Sequence, residues 1–385
     1  MSSPQNSCVL FQDMIMEILS WLWRISCDSS ILSQILHLWN FTFKILQKNT
    51  HLLLTFEDWD KRRDYAIVCP VQDLLDNPSS TLETLHHKHL PFNRTYAILG
   101  ACNGLVCLQD SCIEDKFKEY WFRIGNPTTR VMTKDSPHIH LNLSDYKHPF
   151  RLMFGFGYNE WNDTYQVVLL DNNNKNQSQK LEVRVCCLGD TSWRNTLTCD
   201  AVATVGRRRW RETCDAFVSG TLNWLVFPKS RCSDDERGGT KMNELEIFCY
   251  DLKKKTCSCF SMPDGILEVP PFDTELKVLN GCLCLSHHHD DNFFVWLKRD
   301  FSDEKSWSKL LNYKNRPSTC YCCRHYMEII CMREKDDVVL LAETGLQAEF
   351  TLCNIRDNRI KVRQIYNENK QSLFLWLCSE LGFSV

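Results

Sequence analysis

Asn103-Gly104-Leu105-Val106-Cys107-Leu108, Ser219-Gly220-Thr221-Leu222-Asn223-Trp224-Leu225 and Asn280-Gly281-Cys282-Leu283-Cys284-Leu285 share one design. Each opens on a small polar residue and a glycine, a pair that turns a chain sharply, and runs on into strand-type residues. A further strand follows, for example Ile247-Phe248-Cys249-Tyr250-Asp251-Leu252 or Phe294-Val295-Trp296-Leu297. A Ser-Trp pair closes two segments, Ser192-Trp193 and Ser306-Trp307. One hairpin cannot bury its own face. Repeated hairpins with a turn glycine and a recurrent tryptophan therefore predict blades set around an axis, favoured here over a sandwich although the spacing is irregular.

Outward from these units, short apolar runs punctuated by Asn-Gly, Ser-Gly, Asp-Asn and Pro-Asp turn signals begin at about residue 52. Residues 7–50 read differently. They hold few glycines or prolines, and Ile31, Ile35, Leu38 and Phe43 are spaced to face inward. Within residues 10–23, Ile15, Ile18, Leu19 and Leu22 share one helical face, while Asp13 and Glu17 lie in the early turns, where negative charge suits the helix dipole. The expected fold is mainly β: a C-terminal irregular β-propeller-like domain preceded by a small all-α module.

The chain of 385 residues has a formal net charge of −3, which argues against a nucleic-acid groove. The basic runs Arg207-Arg208-Arg209-Trp210-Arg211 and Lys253-Lys254-Lys255 read as solvated loops. Asp13 and Glu17 interrupt the N-terminal apolar stretch, so no export signal is expected, and no uncharged run is long enough to span a bilayer. The 22 cysteines are then expected as reduced thiols, with Cys107, Cys187, Cys249 and Cys284 acting as small hydrophobes in strands. The expected compartment is cytoplasm or nucleus.

Gly155-Phe156-Gly157-Tyr158 superficially suggests a dinucleotide loop, but it lacks the third glycine and a strand follows it instead of a helix. A bulge or tight strand turn is expected there. Cys320-Tyr321-Cys322-Cys323-Arg324-His325 gathers three thiols and an imidazole at a cramped spacing for tetrahedral zinc, with no second pair nearby, although Cys331 and the His287-His288-His289 run could contribute from a distance. No nucleophile elbow or phosphate-binding loop occurs, so no cofactor, metal or catalytic residue is expected. The 12 tryptophans read as strand packing.

Leu10-Phe11-Gln12-Asp13-Met14-Ile15-Met16-Glu17-Ile18-Leu19-Ser20-Trp21-Leu22 resembles the opening of an F-box, with Phe11 and Trp23 where that family places proline. A longer resemblance, to the F-box-associated domain of plant F-box/kelch-type proteins, is carried by an ordered series of blocks. It includes residues 98–107, Gly125-Asn126-Pro127-Thr128-Thr129-Arg130, Phe154-Gly155-Phe156-Gly157-Tyr158, residues 217–225, Tyr250-Asp251-Leu252, Met262-Pro263, Ser306-Trp307-Ser308-Lys309-Leu310 and residues 354–359. The resemblance implies an F-box-like module at 7–50, a connecting segment with first strands at 51–94, the F-box-associated domain at 95–362 and a C-terminal segment at 363–385. It implies a non-enzymatic substrate-recognition subunit of a Skp1-cullin-F-box (SCF) ubiquitin ligase, in the ubiquitin conjugation pathway. Leu10, Phe11, Ile15, Ile18, Leu19 and Leu22 would bind the Skp1-type adaptor, and through it cullin, while the β domain would bind a target protein. The alternatives are a propeller interaction module with a decayed F-box, outside the ligase, and, with less support, a propeller-fold enzyme.

Overall fold

The computed structural model describes residues 51–58, 63–70, 75, 88–92, 97–126, 131–142, 152–171, 181–199, 216–226, 245–264, 266, 274–289, 292–301, 303, 305–314, 326–333, 337–344, 348–356, 360–365 and 373–374. The helical module expected at residues 7–50 lies outside them.

The described strands form six antiparallel sheets. In sheet 1, β1 (His51–Asp58), β2 (Arg63–Pro70) and β3 (Lys88–Phe92) are joined by β25 (Leu373–Phe374), which pairs with β1. Sheet 2 holds β4 (Ala97–Cys102), β5 (Leu105–Glu114), β6 (Phe117–Asn126), β7 (Val131–Met132) and β8 (Ile139–Asn142); β7 and β8 both pair with β6. Sheet 3 is β9 (Leu152–Asn159), β10 (Thr164–Asp171), β11 (Leu181–Cys187) and β12 (Arg194–Cys199). Sheet 4 is β13 (Ala216–Val218), β14 (Thr221–Val226), β15 (Glu246–Asp251) and β16 (Thr256–Ser261). Sheet 5 is β17 (Thr274–Leu279), β18 (Cys282–His289), β19 (Asn292–Lys298) and β20 (Trp307–Lys314). Sheet 6 is β21 (Tyr326–Arg333), β22 (Val338–Thr344), β23 (Ala348–Asn354) and β24 (Ile360–Ile365).

The first strands touch in succession: β4 meets β9, β9 meets β13, β13 meets β17 and β17 meets β21. That inner row makes the sheets blades around an axis, as the hairpin repeats predict. The pairing of β25 with β1 brings both ends of the strand series into one blade.

The three quoted turn units occupy one structural position, between the first and second strands of blades 2, 4 and 5. Asn103 and Gly104 (φ 48° and 75°), Ser219 and Gly220 (51° and 75°), and Asn280 and Gly281 (49° and 72°) are all left-handed at both central residues. This is the two-residue hairpin whose twist matches that of the strands, and it explains the polar-Gly pair. A Cβ on Gly220 or Gly281 would meet nothing within 4 Å, so conformation and not space selects glycine there.

Cores form between neighbouring blades. Along β9 and β10, Phe154, Phe156, Tyr165, Val167 and Leu169 pack toward blade 2, whereas Met153, Val168 and Leu170 pack with Leu222, Trp224 and Phe248 of blade 4. Successive side chains of a strand point to opposite faces, so a strand between two blades is apolar throughout. Corresponding cores join blades 4 and 5 through Ile247, Leu276 and Leu285, and blades 5 and 6 through Val295, Leu297, Ile329 and Leu341.

Gly155 and Gly157 correct one expectation. The β9–β10 register runs unbroken from Thr164 with Asn159 to Asp171 with Leu152, so these glycines mark neither bulge nor turn. A Cβ on Gly155 would lie 2.7 Å from Trp224 Cζ2, and one on Gly157 would lie 2.6 Å from Phe217 Cδ2. Blade 4's aromatic side chains lie against the bare backbone of β9, and glycine is the residue that lets them do so.

Candidate interaction faces

In an antiparallel blade the turn after the first strand and the turn after the third fall at the same end. Backbone hydrogen bonds tie them together: the N–H of Leu188 donates to Tyr165 O (2.9 Å), Leu252 to Gly220 O (3.1 Å) and Ile355 to Asp337 O (2.8 Å). The bond recurs in blades 3, 4 and 6. Between blades, buried Asn159 donates through Nδ2 to Leu252 O at 2.7 Å. This end is a set of short loops fixed to a rigid frame, the arrangement on which recognition surfaces are usually built.

The outer flank of blades 2 and 3 offers a concave feature, an open groove of about 530 Å³ lined by residues 137–140, Glu182, Arg184, residues 191–193 and Asn195. Trp193 closes its floor, donating from Nε1 to Pro137 O (2.8 Å) and meeting Phe122 edge-on. Arg184 reaches both the fully buried Asp171 (3.1 Å) and Glu182 (3.0 Å). Beside it, Glu119 of β6 stands opposite His140 of β8 and Cys112 of β5 in the strand register. His138 Nδ1 donates to Glu119 Oε1 at 2.8 Å, His140 Nε2 lies 3.2 Å from the same oxygen, and Cys112 Sγ donates to Oε2 at 3.4 Å. The bond from His138 holds the Glu119 carboxyl below its usual range. A carboxylate so held is suited to orienting neighbours and not to giving up a proton.

The buried thiols are unsuited to nucleophilic work. Burial pushes Cys186 up to about 12 and Cys249 to about 11, and it raises Cys107 well above the ordinary thiol value. All remain protonated at neutral pH. Cys107, Cys249 and Cys284 are buried fillers, as expected, while Cys187 is only half-buried and accepts from Arg194 Nη2 at 2.9 Å. Cys320, Cys322, Cys323 and His325 lie outside the described residues. Among the described residues no group of three or more His, Cys, Asp or Glu is arranged to hold a metal ion.

His287-His288-His289 lies on β18, where alternation sends neighbours to opposite faces. His287 stacks on Phe294 (5.0 Å) and accepts from Trp296 Nε1 (3.3 Å), whereas His288 packs on Phe293 and bonds to the backbone of Met327 in blade 6. Burial, and then the charges of His288 and His289, lower His287 from 6.5 to about 4. Between those values the unfolded chain binds the proton and the folded chain does not, so acid favours unfolding. The contribution is present above pH 6.5 and is lost as pH falls toward 4, amounting to about 3 kcal/mol. Urea unfolding of the wild type and His287→Gln across this range should show the extra acid sensitivity only in the wild type; parallel pH profiles would refute the assignment. Nearby, Lys277 of β17 meets Glu328 of β21 at 2.7 Å and Glu275 at 3.4 Å, bridging blades 5 and 6. Burial pulls this ammonium down, but the two carboxylates outweigh it and its pKa is raised.

Leu10, Phe11, Ile15, Ile18, Leu19 and Leu22, the residues expected to meet an adaptor, lie outside the described residues, as does the run 207–211. Glu119 and its two histidines were missed in the sequence, because only the pairing of β6 with β8, and the segment leading into β8, brings them together. The Ser-Trp pairs were visible, and both tryptophans sit where the fourth strand begins, Trp193 just before β12 and Trp307 at the start of β20.

Six four- or five-stranded antiparallel sheets, the first strands of blades 2 to 6 meeting in sequence and the two ends of the strand series closing blade 1, define a β-propeller. The model of the F-box associated beta propeller domain matches residues 51–375, and the chain belongs to that family. Among curated relatives, an F-box/kelch-repeat protein of Arabidopsis thaliana is 27% identical over 248 residues, covering 62% of this chain and 58% of the relative. Two F-box proteins of the same plant are 23% and 22% identical, covering 56% and 69% of this chain and 50% and 64% of their own lengths. The chain thus spans between half and two thirds of these relatives. Among solved structures, a periplasmic gluconolactonase of Pseudomonas aeruginosa overlaps with a TM-score of 0.42 at 9% identity, covering 83% of this chain and 82% of that one.

Proposed function

We propose that the chain is the substrate-recognition subunit of an SCF-type ubiquitin ligase, acting in cytoplasm or nucleus. The observation that carries this reading is the combination of an F-box associated propeller over residues 51–375 with an F-box-like helical pattern immediately before it. The N-terminal helices would lay Leu10, Phe11, Ile15, Ile18, Leu19 and Leu22 on a Skp1-type adaptor, an amphipathic helix in an apolar groove. The propeller would hold a target protein. Ubiquitin transfer would fall to other subunits, with this chain supplying proximity and orientation and no catalytic residue of its own. The protonated thiols described above agree with that division of labour.

Phe11 and Trp23 favour a second reading, a propeller interaction module whose F-box no longer binds the adaptor. Capture by a purified Skp1-type adaptor separates the two. The full chain is expected to be retained, and the chain lacking residues 1–50 to stay folded and strand-dominated but escape capture. Aggregation of the truncated chain would show that the helices complete the propeller's core; failure of the full chain to be captured would favour the second reading.

A further inference from the structure

At the turn-bearing end, the corner between blades 3 and 4 exposes an aromatic ring on a rigid support. Trp161 is 75% exposed, more than Ile113 (65%), Phe117 (49%) or Met132 (45%), the other exposed large hydrophobic residues among those described. Its backbone N–H donates to Asn159 Oδ1 at 3.0 Å, and the same side chain, 4% exposed, donates to Leu252 O at 2.7 Å. One buried amide therefore locks the 160–163 turn of blade 3 to the 252–255 turn of blade 4. The second turn is fixed further by Asp251, whose Oδ1 accepts from the N–H groups of Lys253 (2.9 Å) and Lys254 (2.8 Å).

The charge at this corner is one-sided. Lys253 Nζ lies 4.7 Å from the centroid of the Trp161 ring, and Lys254 and Lys255 follow it on the exposed turn. Against three exposed lysines the two turns expose one carboxylate, Glu160. Asp163 accepts from Tyr158 Oη, and Asp251 is engaged by its own turn and by Lys254 at 3.7 Å. Among the described residues Lys253 and Lys255 have no carboxylate partner. Tryptophan is over-represented among residues that dominate binding energy, and a surface already ordered loses little entropy on binding.

We propose that the Trp161–Lys253 corner docks an acidic segment of a partner protein, an apolar side chain covering Trp161 while carboxylates pair with Lys253 and Lys255. Identifying that partner as the ligase target rests on the recognition role proposed above; the binding itself does not. A lipid surface is the competing occupant, disfavoured because Trp161 stands between polar Glu160 and Asn162.

The test uses the full chain, Trp161→Ala and Lys253→Glu/Lys255→Glu, with a fluorescein-labelled peptide of alternating Glu and Leu read by anisotropy at physiological salt. A Lys-Leu peptide and phosphatidylserine vesicles serve as comparison probes. The wild type should bind the Glu-Leu peptide alone, and each variant should weaken it at least about tenfold while keeping the wild-type circular dichroism. No binding by the wild type, undiminished binding by both variants, or binding to vesicles in place of peptide would overturn the proposal. Adaptor capture is measured on the same preparations. Its failure beside intact, variant-sensitive peptide binding would sink the ligase reading and leave this surface standing.

Discussion

Gly155→Ala is expected to destabilise the fold by about 1–3 kcal/mol and Trp224→Ala by about 3–5 kcal/mol, with the double variant well short of their sum. The alanine Cβ at 155 would sit 2.7 Å from Trp224 Cζ2. Trp224 cannot swing aside easily: it is 1% exposed, its Nε1 bonds to Phe154 O at 3.3 Å, and Phe248 packs on it at 6.1 Å. Removing the indole leaves a large cavity between blades 3 and 4, and it also frees the space that a methyl at 155 needs. In the Trp224→Ala background the glycine substitution should therefore cost far less, its remaining close neighbours being Leu222 Cδ1 and Cδ2 at 3.1 and 3.2 Å. Urea unfolding of the four proteins measures the coupling. Strict additivity would mean that Gly155 is present for some reason other than the approach of blade 4.

Features that depend on local chemistry were legible in the sequence. Asn103-Gly104, Ser219-Gly220 and Asn280-Gly281 announce left-handed hairpin turns because two adjacent residues suffice to define one. Buried Cys107, Cys249 and Cys284 were readable for the same reason, sitting in unbroken apolar runs. What escaped depends on distant neighbours. The reason for Gly155 and Gly157 lies in Trp224, Leu222, Phe217 and Leu252 on the next blade, so their spacing suggested a local turn that does not exist. The Cys112, Glu119 and His140 row arises from pairing β6 with β5 and β8, and closure of blade 1 rests on two residues, Leu373 and Phe374, pairing with Phe56 and Thr55. Lys253-Lys254-Lys255 form an exposed turn, as the sequence suggests, but their aromatic neighbour, Trp161, belongs to another blade and was not legible there.

The largest functional effect is expected from a substitution in the N-terminal segment. In the helical reading of residues 10–23, Ile18 would share an apolar stripe with Ile15, Leu19 and Leu22, and an adaptor contact would remove that stripe from water. A glutamate placed there would be buried without a partner at the centre of an interface, which costs several kcal/mol and takes an interface of ordinary affinity beyond detection. The propeller has cores of its own between the blades, so Ile18→Glu should leave its unfolding transition and its binding of the acidic peptide unchanged.

Titration of a purified Skp1-type adaptor into the full chain and into Ile18→Glu, followed by calorimetry, tests the ligase assignment most directly. The account predicts saturable binding at one adaptor per chain for the wild type and none for the variant, both proteins unfolding at the same urea concentration. A wild-type chain that gives no binding heat and does not co-elute with the adaptor would contradict it, and so would a variant that binds as tightly as the wild type.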